Sequence, residues 1–243
     1  MQQFSYQEYV ADEDFMRGYR EYQEKYRHSA RESDKVLIEM VREAGGRSVL
    51  DIGCSTGNFL LHLKNGIPGL ALTGGDLVPA ILEEARQRPE LAGIGFEEMD
   101  IFKLAAREAY DVVVANAVVH MFTHDQLAVA YRSIHDVLRP GGWYMAFDLL
   151  HEFEQDLAIM ETSKTHPSGL LLHYRPMSIA RRLLEEQGFT DVEFRPFEIP
   201  IDLPRHPDNA ELISYTVPTR EGGRLNFRGI LCQPWCHMRA RWA

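Results

Sequence analysis

Between Arg47 and Leu150, short runs of apolar and β-branched residues alternate with stretches of helical period. Residues 47–53 read as a buried strand and 57–66 as a helix; 69–76 read as a strand and 78–88 as a helix with Pro79 in its first turn. A short strand follows over 93–100. Residues 110–119 form a near-continuous Val-rich run, the pattern of a central parallel strand covered on both faces. An amphipathic helix over 124–138 then leads through the turn 138–142 into a strand over 143–150. Parallel neighbours need crossover connections, so such an alternation closes only as a sheet with helices on both faces. The sequence predicts an α/β fold, doubly wound around a mostly parallel, seven-stranded sheet.

The flanks depart from this alternation. Tyr6, Tyr9, Tyr19, Tyr22 and Tyr26 lie among charged residues, and the spacing of the last three puts them on one helical face. Such a mixture is poor core material and suits a helical lid over residues 1–32. Ser33 is the expected N-cap of a helix that stops at Gly45. Downstream, 152–164 read as an inserted cover helix, 175–189 as a helix from Pro176 to Gly188, and 190–197 as a strand. Prolines 200, 204 and 207 make 198–208 a loop, and Thr219–Gly223 joins 210–218 to 224–232 as a β-hairpin. Residues 234–242 alternate as a final strand with one buried face. The expected organisation is a lid over 1–32 and one domain over 33–243, with cover insertions near 151–175 and 197–231.

The chemistry is concentrated where the first strand ends. Asp51-Ile-Gly53-Cys54-Ser-Thr-Gly57 joins that strand to its helix. Gly53 permits a sharp turn or close ligand approach, and Gly57 lets the helix start beside a ligand. The free N–H groups of that helix favour an anionic end. Open α/β sheets bind ligands at this edge. Asp76 ends the second strand, ahead of Leu77, and Asp100 ends the third, ahead of Ile101. An acid at the first of these places can accept hydrogen bonds from two ribose hydroxyls, or can cap the next helix. The loop is neither G-x-G-x-x-G nor a phosphate-binding P-loop, because no Gly-Lys-Ser/Thr follows.

With Asp111 opening the fourth strand and Leu138-Arg-Pro-Gly-Gly-Trp before the fifth, this ordered set resembles the class I, Rossmann-like S-adenosylmethionine (SAM)-dependent methyltransferases. The resemblance covers about residues 33–150 and, loosely, 176–196. It implies SAM as cofactor, held by Asp51, Gly53, Cys54, Gly57, Asp76, Leu77, Asp100, Ile101 and Asn116. It further implies that Asp100 meets the adenine amine and Ile101 N–H a ring nitrogen, and that Tyr19, Tyr26 and Arg31 of the lid reach the methionine carboxylate. Cys54 also reads as a small core residue, and Asp111 and Pro140-Gly141-Gly142 as structural.

The acceptor end is less legible. Asn116 and His120, in Ala-Asn-Ala-Val-Val-His-Met-Phe, are the candidates to orient the acceptor or take its proton; His124, His151, His173 and His237 are weaker ones. That segment lacks the Asn/Asp-Pro-Pro-Tyr/Phe sequence of methylases acting on exocyclic amines or glutamine. Asp148 and Asn116 do not match the magnesium set of catechol-type enzymes, so no metal is expected. A formal charge of −10 argues against nucleic acid, which calls for clustered Lys and Arg. Three cysteines without a CxxC pair point to a reducing cytoplasm, and no stretch is long and apolar enough to span a bilayer. The acidic start does not resemble a secretory signal. The expectation is a small-molecule O- or N-methyltransferase without membrane attachment, its hairpin covering the acceptor or forming a homodimer edge. A protein or tRNA methyltransferase and a non-catalytic SAM-binding module are the competing readings.

Overall fold

Val112, Val113 and Val114 are wholly buried, two facing one layer of helices and one the other, and this two-sided strand sits in the middle of the sheet. The computed structural model describes residues 20–243 except 165, 167, 168 and 211. Within it run β1 (Ser48–Ile52), β2 (Ala71–Asp76), β3 (Gly95–Glu98), β4 (Tyr110–Asn116), β5 (Leu138–His151), β6 (Leu157–Glu161), β7 (Leu170–Pro176), β8 (Phe189–Pro196), β9 (Ser214–Pro218), β10 (Arg224–Arg228), β11 (Leu231–Cys232) and β12 (Trp235–Trp242). The helices are α1 (Glu32–Ala44), α2 (Asn58–Gly66), α3 (Pro79–Arg86), α4 (His124–Val137) and α5 (Met177–Glu186).

The main sheet runs β3-β2-β1-β4-β5-β12-β8. The first five strands are parallel, and β12 is antiparallel to both of its neighbours. This main path has the seven strands expected from the sequence, and β7, paired with the end of β5, and β6, paired with β7, bring the sheet to nine. Leu37, Met40, Leu60 and Leu63 fill the layer under α1 and α2, and Tyr131, Ile134, Leu184 and Met238 fill the layer under α4 and α5. At the amino-terminal edge, Asp111 Oδ2 accepts N–H bonds from Arg47 and Ser48, and Arg139 donates to Oδ1. That acid ties three strands together far from their carboxyl ends, so its role is structural.

Three expectations need correction. Residues 152–164 hold no helix: Leu157–Glu161 form β6, antiparallel to β7, with Ile159 packed on Leu149 and Leu170. The ladder to β7 supplies backbone partners that outweigh the helical look of an acid-rich segment. The helix expected to start after Ser33 has Arg31 as its N-cap, whose side chain and N–H engage Asp34. Ser33 instead lies in the first turn, its carbonyl taking a bond from His237 Nε2. Finally, Leu138–Gly142 does not precede the fifth strand but begins it; β5 spends five residues between pairings where β4 spends two, so the Pro140-Gly141-Gly142 turn survives as a bulge. The expected hairpin is present as β9–β10, extended by β11 into a separate three-stranded sheet.

Candidate active site

The carboxyl ends of β1 to β5 gather the sequence motifs into one cleft edge. Gly53 adopts φ +78°, and its N–H, with that of Cys54, donates to the Gly75 carbonyl at 2.7 and 3.0 Å. A Cβ at Gly53 would stand 2.5 Å from Val118 Cγ2, so two demands select glycine there. Gly57 is the N-cap of α2, also at φ +78°, with Leu91 and Phe96 against the place of its missing side chain. Cys54 is buried with its sulfur beside Gly74, and burial pushes its thiol well up; it packs rather than reacts.

Asp76 lies 5% exposed, Oδ2 accepting from Ser55 N–H at 2.9 Å and Oδ1 from Val78 N–H at 3.0 Å. The acid therefore pins the glycine loop to β2 while facing the site. The N-cap of α3 is Val78 and not Asp76. Asp100 closes its own turn, Oδ1 accepting from Phe102 N–H at 3.0 Å, with Lys103 Nζ 3.3 Å from Oδ2 and Ile101 buried behind it. Leu77 is half-buried.

The electrostatic centre is Asp51. It is 2% exposed and its Oδ1 has no hydrogen-bond partner. Burial, with Asp34 and Asp76 alongside, pushes its carboxyl up to about 8, against the pull of Arg31. Asp34 was not foreseen from the sequence. It is buried in the first turn of α1, where Asn116 Nδ2 donates to Oδ1 at 2.9 Å and Arg31 Nε to Oδ2 at 3.0 Å. An acid at the third position of a helix reads as a cap, and nothing in the sequence signals that it turns inward. Three carboxyl groups, one of them held protonated near neutral pH, against one guanidinium leave the site receptive to a cation.

Part of the expected lid segment lies within the described residues. Residues 20–25 are helical and seated on the start of α2. Asn58 Nδ2 donates to the Gln23 carbonyl at 2.7 Å, His62 Nε2 pairs with the Tyr26 carbonyl at 2.8 Å, and Arg27 bridges to Glu90. Arg31 lies 5.7 Å from the Tyr26 ring. Arg31 and Tyr26 thus flank Asp34, while Tyr19, with the rest of 1–19, lies outside the described residues.

The two acceptor-end candidates are not brought together. Asn116 turns to Asp34 on the α1 face. His120 sits in a single 3-10 turn, Val119–Met121, edge-on to Trp235, with Nδ1 3.9 Å from Asp148 Oδ1. Burial and then the charge of Arg175 lower His120 to about 3, so it stays neutral at working pH. His124 pairs with Asp156 at 3.1 Å, and His173 and His237 are buried and held to about 4. His151 lies at the half-buried end of β5. Trp235, stacked on Phe147 at 4.6 Å, was likewise not foreseen. Among the described residues, no group of three or more acids, histidines and cysteines is placed to hold a metal.

Residues 49–142 match the model of a methyltransferase domain. A trans-aconitate 2-methyltransferase of Methylobacterium nodulans is 35% identical over 106 residues, 44% of this chain and 40% of that one. A malonyl-[acyl-carrier protein] O-methyltransferase of a Paenibacillus species is 32% identical over 126 residues, 48% and 44% of the two chains. The chain thus spans less than half the length of these relatives. Among solved structures, the Burkholderia thailandensis 1,6-didemethyltoxoflavin-N1-methyltransferase superposes with TM-score 0.61 at 18% identity, over 100% of this chain and 92% of that one. Human N-acetylserotonin methyltransferase does so with TM-score 0.59 at 15% identity, over 86% and 51%. These two likenesses establish the fold. The match to a methyltransferase domain falls on the very segment, residues 49–142, that carries the strand-end acids and the glycine loop.

Proposed function

We propose that the protein transfers a methyl group to an oxygen or nitrogen atom of a small-molecule acceptor. The observation that carries this reading is Asp51, a buried carboxyl with an unpaired oxygen, flanked by Asp34 and Asp76 where the first two strands end. Such a basin takes a positively charged ligand group, and the amino and sulfonium centres of SAM supply one. Asp51 would meet the amino group, Asp76 the ribose, and Asp100 with Ile101 the adenine. The bound cofactor supplies an intrinsically activated methyl for in-line displacement, so the chain's own contribution is alignment and exclusion of water.

His120, held neutral, can accept a hydrogen bond through a bare ring nitrogen, and it is the residue we assign to the acceptor end, to orient the acceptor; Asn116, turned to Asp34, we assign to the cofactor side. Small-molecule acceptors are supported by the names of the relatives, which act on trans-aconitate and on malonyl-[acyl-carrier protein]. The acidic charge weighs against nucleic acid. No helix among the described residues is long and apolar enough to cross a membrane. Three free thiols support a reducing compartment such as the cytoplasm. A homodimer through the β9–β11 sheet stays a proposal.

Isothermal titration with S-adenosylhomocysteine, the demethylated product, tests the reading: absence of binding overturns it. Replacing Asp76 by Ala weakens that binding by about 1.5–3 kcal/mol, the loss of a charge-assisted pair of bonds. An unchanged affinity in a folded variant would reduce Asp76 to a loop pin.

We also infer that residues 1–32 close over the cofactor as a lid. Deleting 1–30 removes the Gln23, Tyr26 and Arg27 contacts to α2 and Glu90 while leaving both core layers intact. The expected outcome is a cooperatively folding domain with S-adenosylhomocysteine affinity reduced about tenfold or more, the equivalent of about 1.4 kcal/mol. Calorimetry on the truncated chain decides it, and full affinity would remove the lid from the site.

A further inference from the structure

Arg175 is the largest fully buried side chain among the described residues, at 0% exposure, and the proposed function gives it no task. It stands near the end of β7, in an otherwise apolar run from Leu170 to Tyr174 broken by His173. Its guanidinium reaches across to the loop after β4. Nη1 donates to the Val119 carbonyl at 3.4 Å and Nη2 to the Phe122 carbonyl. Those two carbonyls bracket the 3-10 turn whose middle residue is His120. Arg175 thus closes the turn from outside, where a three-residue helix has only the Phe122 N–H to Val119 bond of its own.

The counter-charge is Asp148 on β5, also 0% exposed, with Oδ2 3.9 Å from Arg175 Nη1 and Oδ1 3.9 Å from His120 Nδ1. Neither distance makes a hydrogen bond. Asp148 Oδ2, Arg175 Nε, His120 Nδ1 and the Tyr131 and Tyr144 hydroxyls are all buried without a partner. A buried ion pair in such loose contact is a poor way to hold two strands together, and an apolar pair of the same volume does that better. What an apolar pair cannot do is grip two carbonyls and present a carboxylate to a histidine ring.

We propose that Arg175 and Asp148 are positioning residues that fix the turn and the ring orientation of His120 at the acceptor end of the site. Arg175 sets the backbone; the field of Asp148 sets which ring nitrogen carries the proton, favouring Nδ1–H toward itself and leaving the opposite nitrogen, Nε2, bare to accept a hydrogen bond from the acceptor. The charge of Arg175 also opposes protonation of the ring, in line with the low value that burial imposes on it. The groups facing His120 are Asp148 from β5, Arg175 and His173 from β7, Arg228 from β10 and the Trp235 ring from β12. The proposal rests on the reading that His120 faces the acceptor.

The test uses the full chain with ring-labelled histidine. Arg175→Met alone strands Asp148 as an unpaired buried charge and is prone to misfold, so the informative variant is Asp148→Asn with Arg175→Met, which removes both charges at near-constant volume. In the wild type, His120 gives the spectrum of one neutral tautomer and does not titrate between pH 5 and 8. In the double variant the expected result is a mixed-tautomer signal and amide exchange at least tenfold faster at residues 119–122. Exchange across Ala130–Val137 of α4 and affinity for S-adenosylhomocysteine stay within twofold of wild type. Arg175→Lys, which keeps the charge and one donor, restores part of the protection. An unchanged His120 spectrum overturns the proposal, as does a uniform loss of protection through α4 and the sheet, since the pair would then serve the fold alone. Failure of the underlying reading shows separately, as undiminished methyl transfer by His120→Ala.

Discussion

Asp51→Asn melts at a higher temperature than the wild type at pH 8 and binds S-adenosylhomocysteine far more weakly. The ligand-free protein keeps the Asp51 carboxyl at about 8, where its ordinary value is 3.8. Each pH unit traversed costs about 1.4 kcal/mol, so at pH 7 the folded state carries a penalty on the order of 4 kcal/mol. The sign follows from an acid whose folded value is raised. Below about pH 4 both states are protonated and no penalty exists; it grows as pH rises from about 4 to 8 and is constant above. Asn carries no such charge but leaves a buried amide to satisfy, so the net gain is about 1–3 kcal/mol. That corresponds to roughly 2–4 °C per kcal/mol for a chain of this size. Thermal melts at pH 5 and pH 8 check it: the gap between variant and wild type widens at the higher pH. A variant that melts lower at pH 8 would mean that Asp51 is ionised and structural. Binding moves the opposite way. Wild-type affinity rises by up to tenfold per pH unit between pH 6 and 7, because a proton must leave Asp51 before a cation can pair with it. The variant has neither the slope nor the affinity.

Gly53→Ala lowers stability by about 2–5 kcal/mol. Its left-handed backbone costs an L residue about 1–2 kcal/mol. The added methyl, 2.5 Å from Val118 Cγ2, adds overpacking of about 1–3 kcal/mol. The two causes separate in a double-mutant cycle. Val118→Ala relieves the contact but not the backbone, so the pair recovers roughly half of the loss, with a coupling of about 1–2 kcal/mol. Chemical denaturation of the four proteins measures it. Additive losses would show that the loop shifts freely, and the close approach of Gly53 to the loop after β4 would then carry no energetic weight.

Much of this arrangement is written locally, and some is not. The Val-rich run at 110–119, the glycine loop and the Pro79 helix start are local signals, and each element lies where its pattern puts it. Leu157–Glu161 is a strand only because Leu170–Tyr174 folds back beside it, a pairing that no window of sequence contains. At the site, Asp76 and Asp100 are legible because strand ends are legible. Asp34 is not, since its meaning depends on α1 turning that face toward Asn116, 82 residues away. Arg175 offered a signal, a cation in an apolar strand, but its partners Val119, Phe122 and Asp148 belong to two other elements.

The place of β12 carries a consequence for assembly. Among the described strands Trp235–Trp242 come last in chain order, yet they lie between β5 and β8, with Cys236, Met238 and Ala240 wholly buried. During synthesis β5 and β8 are complete while the slot between them is empty. Each then presents an open hydrogen-bonding edge to anything that can supply a strand, including another copy of the nascent chain. This pairing is also among the most distant in sequence, Trp235 against Leu149, which makes it a slow one. A chain truncated before residue 235 is therefore the species in which aggregation should be sought, and the same chain carried through residue 243 should lose it.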